Sequence, residues 1–155
     1  MSAEEFKELV SALAATPARI QSLLGDFSDE QLRQQGPEGE FSFVETVCHL
    51  RDIEAEGYRA RIKRILTEDQ PTLADIDGGR LAVERNYNTQ DVRPALRAFS
   101  KARTSNLDVI QCLGSEELSR GGILEGVGTV TLEELLVMMR DHDAGHLREM
   151  SDVGG

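Results

Sequence analysis

The chain has 155 residues, 39% of them apolar and 29% charged, and a formal net charge of −11. That composition belongs to a globular protein, and the length to one domain spanning residues 1–155, rather than to a disordered segment. The acidic balance, with no basic run, excludes a phosphate-backbone binder and opposes an anionic membrane surface.

No apolar run approaches a membrane span, and the first residues, M-S-A-E-E-F-K-E, are acidic where a signal peptide is basic. A cytoplasmic protein is expected. Cys48 and Cys112 make no disulfide framework; each stands among apolar helical residues and reads as a buried free thiol.

Residues 3–25 have helical spacing in Phe6, Leu9, Val10, Leu13, Ile20 and Leu24. Pro17 is expected to kink or divide this helix, with Thr16 as a second cap. Ser28–Gln31 opens a short turn, and Gly36-Pro37-Glu38-Gly39 is a loop. Ser42 with Glu45 is a capping box, so a second long helix starts there and runs to about Leu66. Its apolar face carries Phe43, Val47, Leu50, Tyr58 and Ile65, with His49 to one side in line with Ile53, Glu56 and Ala60. Glu54 falls near the middle of that face, and Asp52 points away toward solvent.

Residues 67–90 have no strong period and read as an irregular crossover with a helical turn near 79–86. It is long enough to join two parallel helices of a bundle. Residues 91–113 form the third long helix, with Pro94 in its tolerant first turn and Gly114 as its stop. Its stripe of Val92, Leu96, Phe99, Leu107 and Ile110 is interrupted by Arg103, with Asn106 beside it. Ser115–Leu118 is another short turn, and the glycines at 121, 122, 126 and 128 favour a small hairpin or loop. Thr131 with Glu134 then caps the last helix. Together these give an all-α four-helix bundle with one long crossover and a small loop or hairpin before the final helix.

The chemistry concentrates in that final helix. At about 100° per residue, Leu132, Leu135, Met139, His142, His146 and Met150 share one face. His142 and His146 are one turn apart, so their rings can converge on one ion. The third histidine of the chain, His49, lies on another helix; three imidazoles leave coordination positions open, as catalytic metal sites do. The competing interpretation is three histidines satisfied by hydrogen bonds. It suits His49 taken alone better than the pair on one apolar stripe, whose neutral rings need several partners each.

H-D-A-G-H differs from the zincin H-E-x-x-H in its shorter acid, and the third histidine is upstream, so a peptidase is not indicated. Asp143 lies on the inward half of the helix. It either orients a ligand or accepts a proton from water at the ion, or it is the pairing partner of an N–H or an arginine. Glu54 and Arg103 either form a buried ion pair or leave Arg103 free to hold an anionic substrate group. Cys48 projects about 100° from His49 and is not expected to share its ion.

Three stretches carry a resemblance: F-S-F-V-E-T-V-C-H-L-R-D-I-E at 41–54, F-S-K-A-R at 99–103, and V-T-L-E-E-L-L with H-D-A-G-H-L between 130 and 147. In order and spacing the chain resembles the DinB/YfiT-like superfamily of metal-dependent enzymes, over nearly its whole length. The resemblance implies a four-helix bundle, a divalent ion (nickel or zinc) on His49, His142 and His146, and a homodimer. It also implies a reaction of the kind known in relatives, thiol-dependent S-transfer or isomerisation with a low-molecular-weight thiol. The family's link to DNA damage has no support in an acidic chain. Where the family often has Trp-Ser before the second helix, this chain has Phe41-Ser42, which conserves packing volume. The expectation is therefore a metal-dependent transferase or hydrolase acting on a small molecule, with Arg103 or Arg85 holding an anionic group. The rival is a non-catalytic metal- or small-molecule-binding bundle.

Overall fold

The computed structural model describes residues 1–152. Helix α1 (Ala3–Leu24) is capped by Ser2 and runs through Pro17 without interruption. Proline removes the N–H that would bond the carbonyl four residues back, that of Leu13. The vacated Leu13 oxygen accepts instead from Arg103 Nη1 at 2.8 Å, so the expected division of the helix does not occur. The short α2 (Asp29–Leu32) and a 3₁₀ turn at Pro37–Gly39 lead to α3 (Phe43–Asp52), where the Ser42–Glu45 capping box is formed in both directions.

A π-helical turn, Ile53–Tyr58, joins α3 to α4 (Arg59–Thr67). The wider turn buries Glu54, Gly57 and Tyr58 while leaving Ala55 and Glu56 exposed. Such turns cluster at functional sites. The crossover holds strand β1 (Thr72–Leu73), helix α5 (Gly78–Glu84) and a 3₁₀ turn at Tyr87–Thr89. Helix α6 (Val92–Ile110), the short α7 (Ser115–Leu118), strands β2 (Gly121–Leu124) and β3 (Gly128–Thr131), and α8 (Leu132–Asp152) complete the order. Strands β2 and β3 form the expected hairpin, and β1 adds to it in parallel, pairing Thr72 with Ile123 and Leu73 with Leu124. Thr131 caps α8, its hydroxyl accepting from Glu134 N at 3.1 Å. The long helices α1, α3–α4, α6 and α8 make a four-helix bundle, with the small sheet at one side.

The core is split into two apolar clusters. One contains Ile20, Val47, Leu50, Phe99, Leu147 and Met150. The other contains Leu13, Tyr58, Ile62, Leu107, Leu135 and Met139. In each long helix a buried polar side chain that joins one network falls between its contributions to the two clusters: Thr16 in α1, Glu54 in the π turn, Arg103 in α6 and Asp143 in α8. These residues bond to one another. Arg103 Nε and Nη2 donate to Glu54 at 2.9 Å each, Nη1 and Nη2 to Asp143 at 2.7 and 3.1 Å, and Thr16 Oγ1 to Asp143 Oδ2 at 2.8 Å. Asn106 Nδ2 adds a bond to Glu54 Oε2 at 2.9 Å. A polar layer of this kind fixes the register of four helices, because a slip of one turn would strand charges in apolar surroundings.

Candidate metal centre

The two histidines of α8 and the one of α3 meet just above this layer. His142 Nε2 lies 3.3 Å from His49 Nε2 and 3.1 Å from His146 Nε2. One ligand atom from each of the three rings lies within 4.8 Å of the others. The one-turn spacing on α8 sets the edge-to-face pair, with ring centroids 4.5 Å apart. His49 is brought across by the packing of α3, and the Phe41 ring just before that helix stands edge-to-face with it, centroids 5.7 Å apart. On the other side the backbone of Gly78 approaches so closely that a Cβ there would stand 2.9 Å from His49 Nδ1. His146 Nδ1 is held 3.0 Å from Glu149 Oε2.

Both His49 and His142 are held neutral. Burial, reinforced by the charge of neighbouring His146, pulls His49 down from 6.5 to about 4. Burial, with His146, His49, Arg103 and Arg61 adding, pulls His142 down to about 3. Three imidazoles converging in this way cannot satisfy one another. His142 Nε2 faces two other ring nitrogens with at most one hydrogen, and its Nδ1 is buried without a partner. One divalent ion would accept all three lone pairs. Nitrogens about 2.0–2.1 Å from a shared ion lie roughly 2.9–3.4 Å apart, and both separations around His142 match. The donor set fits a metal.

The remaining expected site residues sit differently. Asp143 is 3% exposed, and its carboxylate accepts from Arg103 and Thr16, which is the arginine pairing among its alternatives. Arg103 is 1% exposed, and its five N–H donors go to Glu54, Asp143 and the Leu13 carbonyl. No donor is left for a substrate, which corrects that role and leaves the buried Glu54 ion pair. Arg85 is bound to Asp52 at 2.9 Å and to Glu56, with both carboxylates raising its pKa.

Asp52 is buried rather than solvated; Arg51, Tyr87 and Arg85 converge on it and hold its pKa below the usual carboxylate range against the cost of burial. Cys48 is fully buried as expected, and burial raises its thiol to about 11. Cys112 is exposed, because α6 ends at Ile110 and the next residues turn outward.

Two side chains beside the cluster were not singled out by chemistry in the sequence. Tyr58 stands with its ring 6.2 Å from that of His142, set there by the π turn. Arg61, one turn further, is buried with its guanidinium 5.6 Å from the Tyr58 ring centre. The signal for Arg61 was available: Tyr58, Arg61, Ile62 and Ile65 keep i, i+3, i+4, i+7 spacing, which places the cation on the inward stripe.

The fold and the cluster define a helical bundle with a three-histidine site at its polar mid-layer. The chain belongs to the DinB superfamily, whose model matches residues 12–150. No curated protein matches it. Among solved structures it is similar to YfiT from Bacillus subtilis, described as a probable metal-dependent hydrolase with an unusual four-helix bundle topology. The match has a TM-score of 0.85 at 23% identity and covers 97% of this chain and 88% of that one. No helix among the described residues is long and apolar enough to cross a membrane.

Proposed function

We propose that the protein is a metal-dependent enzyme in which His49, His142 and His146 hold one divalent ion, zinc or nickel. The observation that carries this reading is the convergence of three histidine Nε2 atoms, with those of His146 and His49 3.1 and 3.3 Å from that of His142. The description of YfiT as a probable metal-dependent hydrolase supports it. An ion so bound supplies a Lewis acid that brings a coordinated water or thiol toward ionisation near neutral pH. The protein's part is to keep the His49 and His142 rings neutral by burial, to orient His146 through Glu149, and to hold His49 beside Phe41 and Gly78. The nucleophile is water in a hydrolase, or a low-molecular-weight thiol in an S-transferase; family resemblance favours the thiol. The protein acts as a homodimer in the cytoplasm.

The test is turnover by zinc- or nickel-loaded protein offered a small thiol with an electrophile, or an activated ester with water. Activity is expected with the ion and lost on chelation and in His142→Ala. Equal turnover after complete metal removal would overturn the reading. A second reading, a non-catalytic binder, is favoured by one observation: the acid beside the ligands, Asp143, is fully engaged in the polar layer and offers no free base. A fully loaded protein without turnover in either assay would support it.

A further inference from the structure

Arg61 is the anomaly of the region. It is 8% exposed, yet no carboxylate pairs with it among the described residues. Its one hydrogen bond there is from Nη2 to the Ala74 carbonyl of the crossover, at 3.1 Å. Its Nε is buried with no partner among the described residues. A guanidinium cannot shed its charge, so burial without a counter-charge is costly and calls for compensation from outside the chain. The contrast with the other arginines is sharp. Arg103 uses every donor on Glu54, Asp143 and Leu13, while Arg51 and Arg85 both rest on Asp52. In a chain of net charge −11, an unneutralised buried cation is not a by-product of excess base.

Its position gives the vacancy a direction. The guanidinium lies 5.6 Å from the centre of the Tyr58 ring, whose other neighbour is the His142 ring at 6.2 Å. The charge of Arg61 is close enough to bear on His142. The second buried polar atom without a partner, His142 Nδ1, is on that same neighbouring ring. Gly57 leaves the space: a Cβ there would fall 3.9 Å from the guanidinium carbon and 2.9 Å from Ile76 Cδ1. The Ala74–Ile76 segment can therefore close over Arg61.

We propose that Arg61 is a substrate-binding residue that holds a carboxylate group of the molecule acted on at the three-histidine site. One guanidinium balances one negative charge, which suits a carboxylate better than a phosphate dianion. The Tyr58 ring lies 5.6 Å from the Arg61 guanidinium and 6.2 Å from the His142 ring, so one small molecule lying along it can present its carboxylate to Arg61 and its reacting atom to the ion. The proposal builds on the metal-site reading above, but the carboxylate subsite itself is independent of the ion.

The test compares 3-mercaptopropionate with its neutral amide, 3-mercaptopropionamide, on zinc-loaded protein and on metal-free protein. The Arg61 Nε–H signal in ¹H–¹⁵N spectra is identified by its disappearance in Arg61→Lys. The carboxylate is expected to shift that signal and the amide is not. The carboxylate should bind more tightly than the amide by on the order of tenfold, an advantage erased in Arg61→Gln and partly kept in Arg61→Lys. Arg61→Lys keeps the cation, so it remains informative if Arg61→Gln fails to fold. Equal binding of the two probes, binding of neither, or an unmoved Arg61 signal would overturn the proposal. Metal analysis of the same samples separates this from failure of the metal reading: protein that takes up no zinc yet shows the carboxylate-specific shift keeps the subsite and loses the ion.

Discussion

Arg103→Met should be the most damaging single change in the core. Methionine keeps much of the volume but leaves Glu54 and Asp143, 0% and 3% exposed, facing each other without a cation. It also leaves the Leu13 carbonyl, already deprived of its helical donor by Pro17, without Arg103 Nη1. Breaking a buried ion pair from one side costs about 3–5 kcal/mol. For a domain of this size each kcal/mol lowers the melting midpoint by roughly 2–4 °C, so a fall of roughly 6–20 °C is expected.

The assay is thermal and urea unfolding of metal-free protein followed by circular dichroism, so that bound ion does not mask the loss. The triple variant Glu54→Leu, Arg103→Met, Asp143→Leu removes the charges together and should recover most of the loss, since well-packed apolar replacements of ionic triads are often neutral or stabilising. An Arg103→Met protein melting within about 2 °C of the parent would refute the reasoning. So would a triple variant less stable than the single one.

Gly78→Ala would place a Cβ 2.9 Å from His49 Nδ1 and push the ring from its place. Zinc affinity measured by competition should fall by about tenfold or more, with the helical content unchanged. Glu149→Gln should weaken zinc binding by about 10–100-fold through loss of the His146 Nδ1 partner, while thermal stability of the metal-free protein stays put.

The pH dependence follows from the depressed histidines. His49 and His142 take up protons near 6.5 when unfolded but only near 4 and 3 when folded. The unfolded state therefore binds more protons between those values, and metal-free protein should lose stability as pH falls from about 6.5 toward 4. His49→Asn should flatten that slope in urea titrations; an unchanged slope would contradict it. An alkylating thiol reagent should modify exposed Cys112 in native protein and reach Cys48, raised to about 11, only after unfolding.

The helices were legible because capping and periodicity agree along them. Ser42–Glu45 and Thr131–Glu134 start α3 and α8 where the sequence places them. The histidines were legible because two share one stripe of α8 and the chain holds only one more. The continuity of α1 was not legible, because the donor that satisfies the Leu13 carbonyl comes from Arg103, 90 residues away.

A uniform α-helical period over residues 42–66 puts Asp52 on the solvent side. The π turn and the docking of Arg85 and Tyr87 from the crossover bury it instead. The alternatives for Asp143 and Arg103 could not be separated from spacing, since both residues point inward in either case; only the closed count of donors and acceptors decides it. Arg61 shows the reverse: its inward register was readable, but its lack of a partner exists only in three dimensions.

The central claim is that three histidines from two helices hold one ion. It is tested most directly by metal stoichiometry and affinity of the purified protein beside His49→Ala, His142→Ala and His146→Ala. The expected result is one zinc or nickel ion per chain in the parent and a loss of tight binding in each variant, with helical content retained. A parent that binds neither ion, or a His142→Ala protein that keeps one ion with unchanged affinity, would contradict the account.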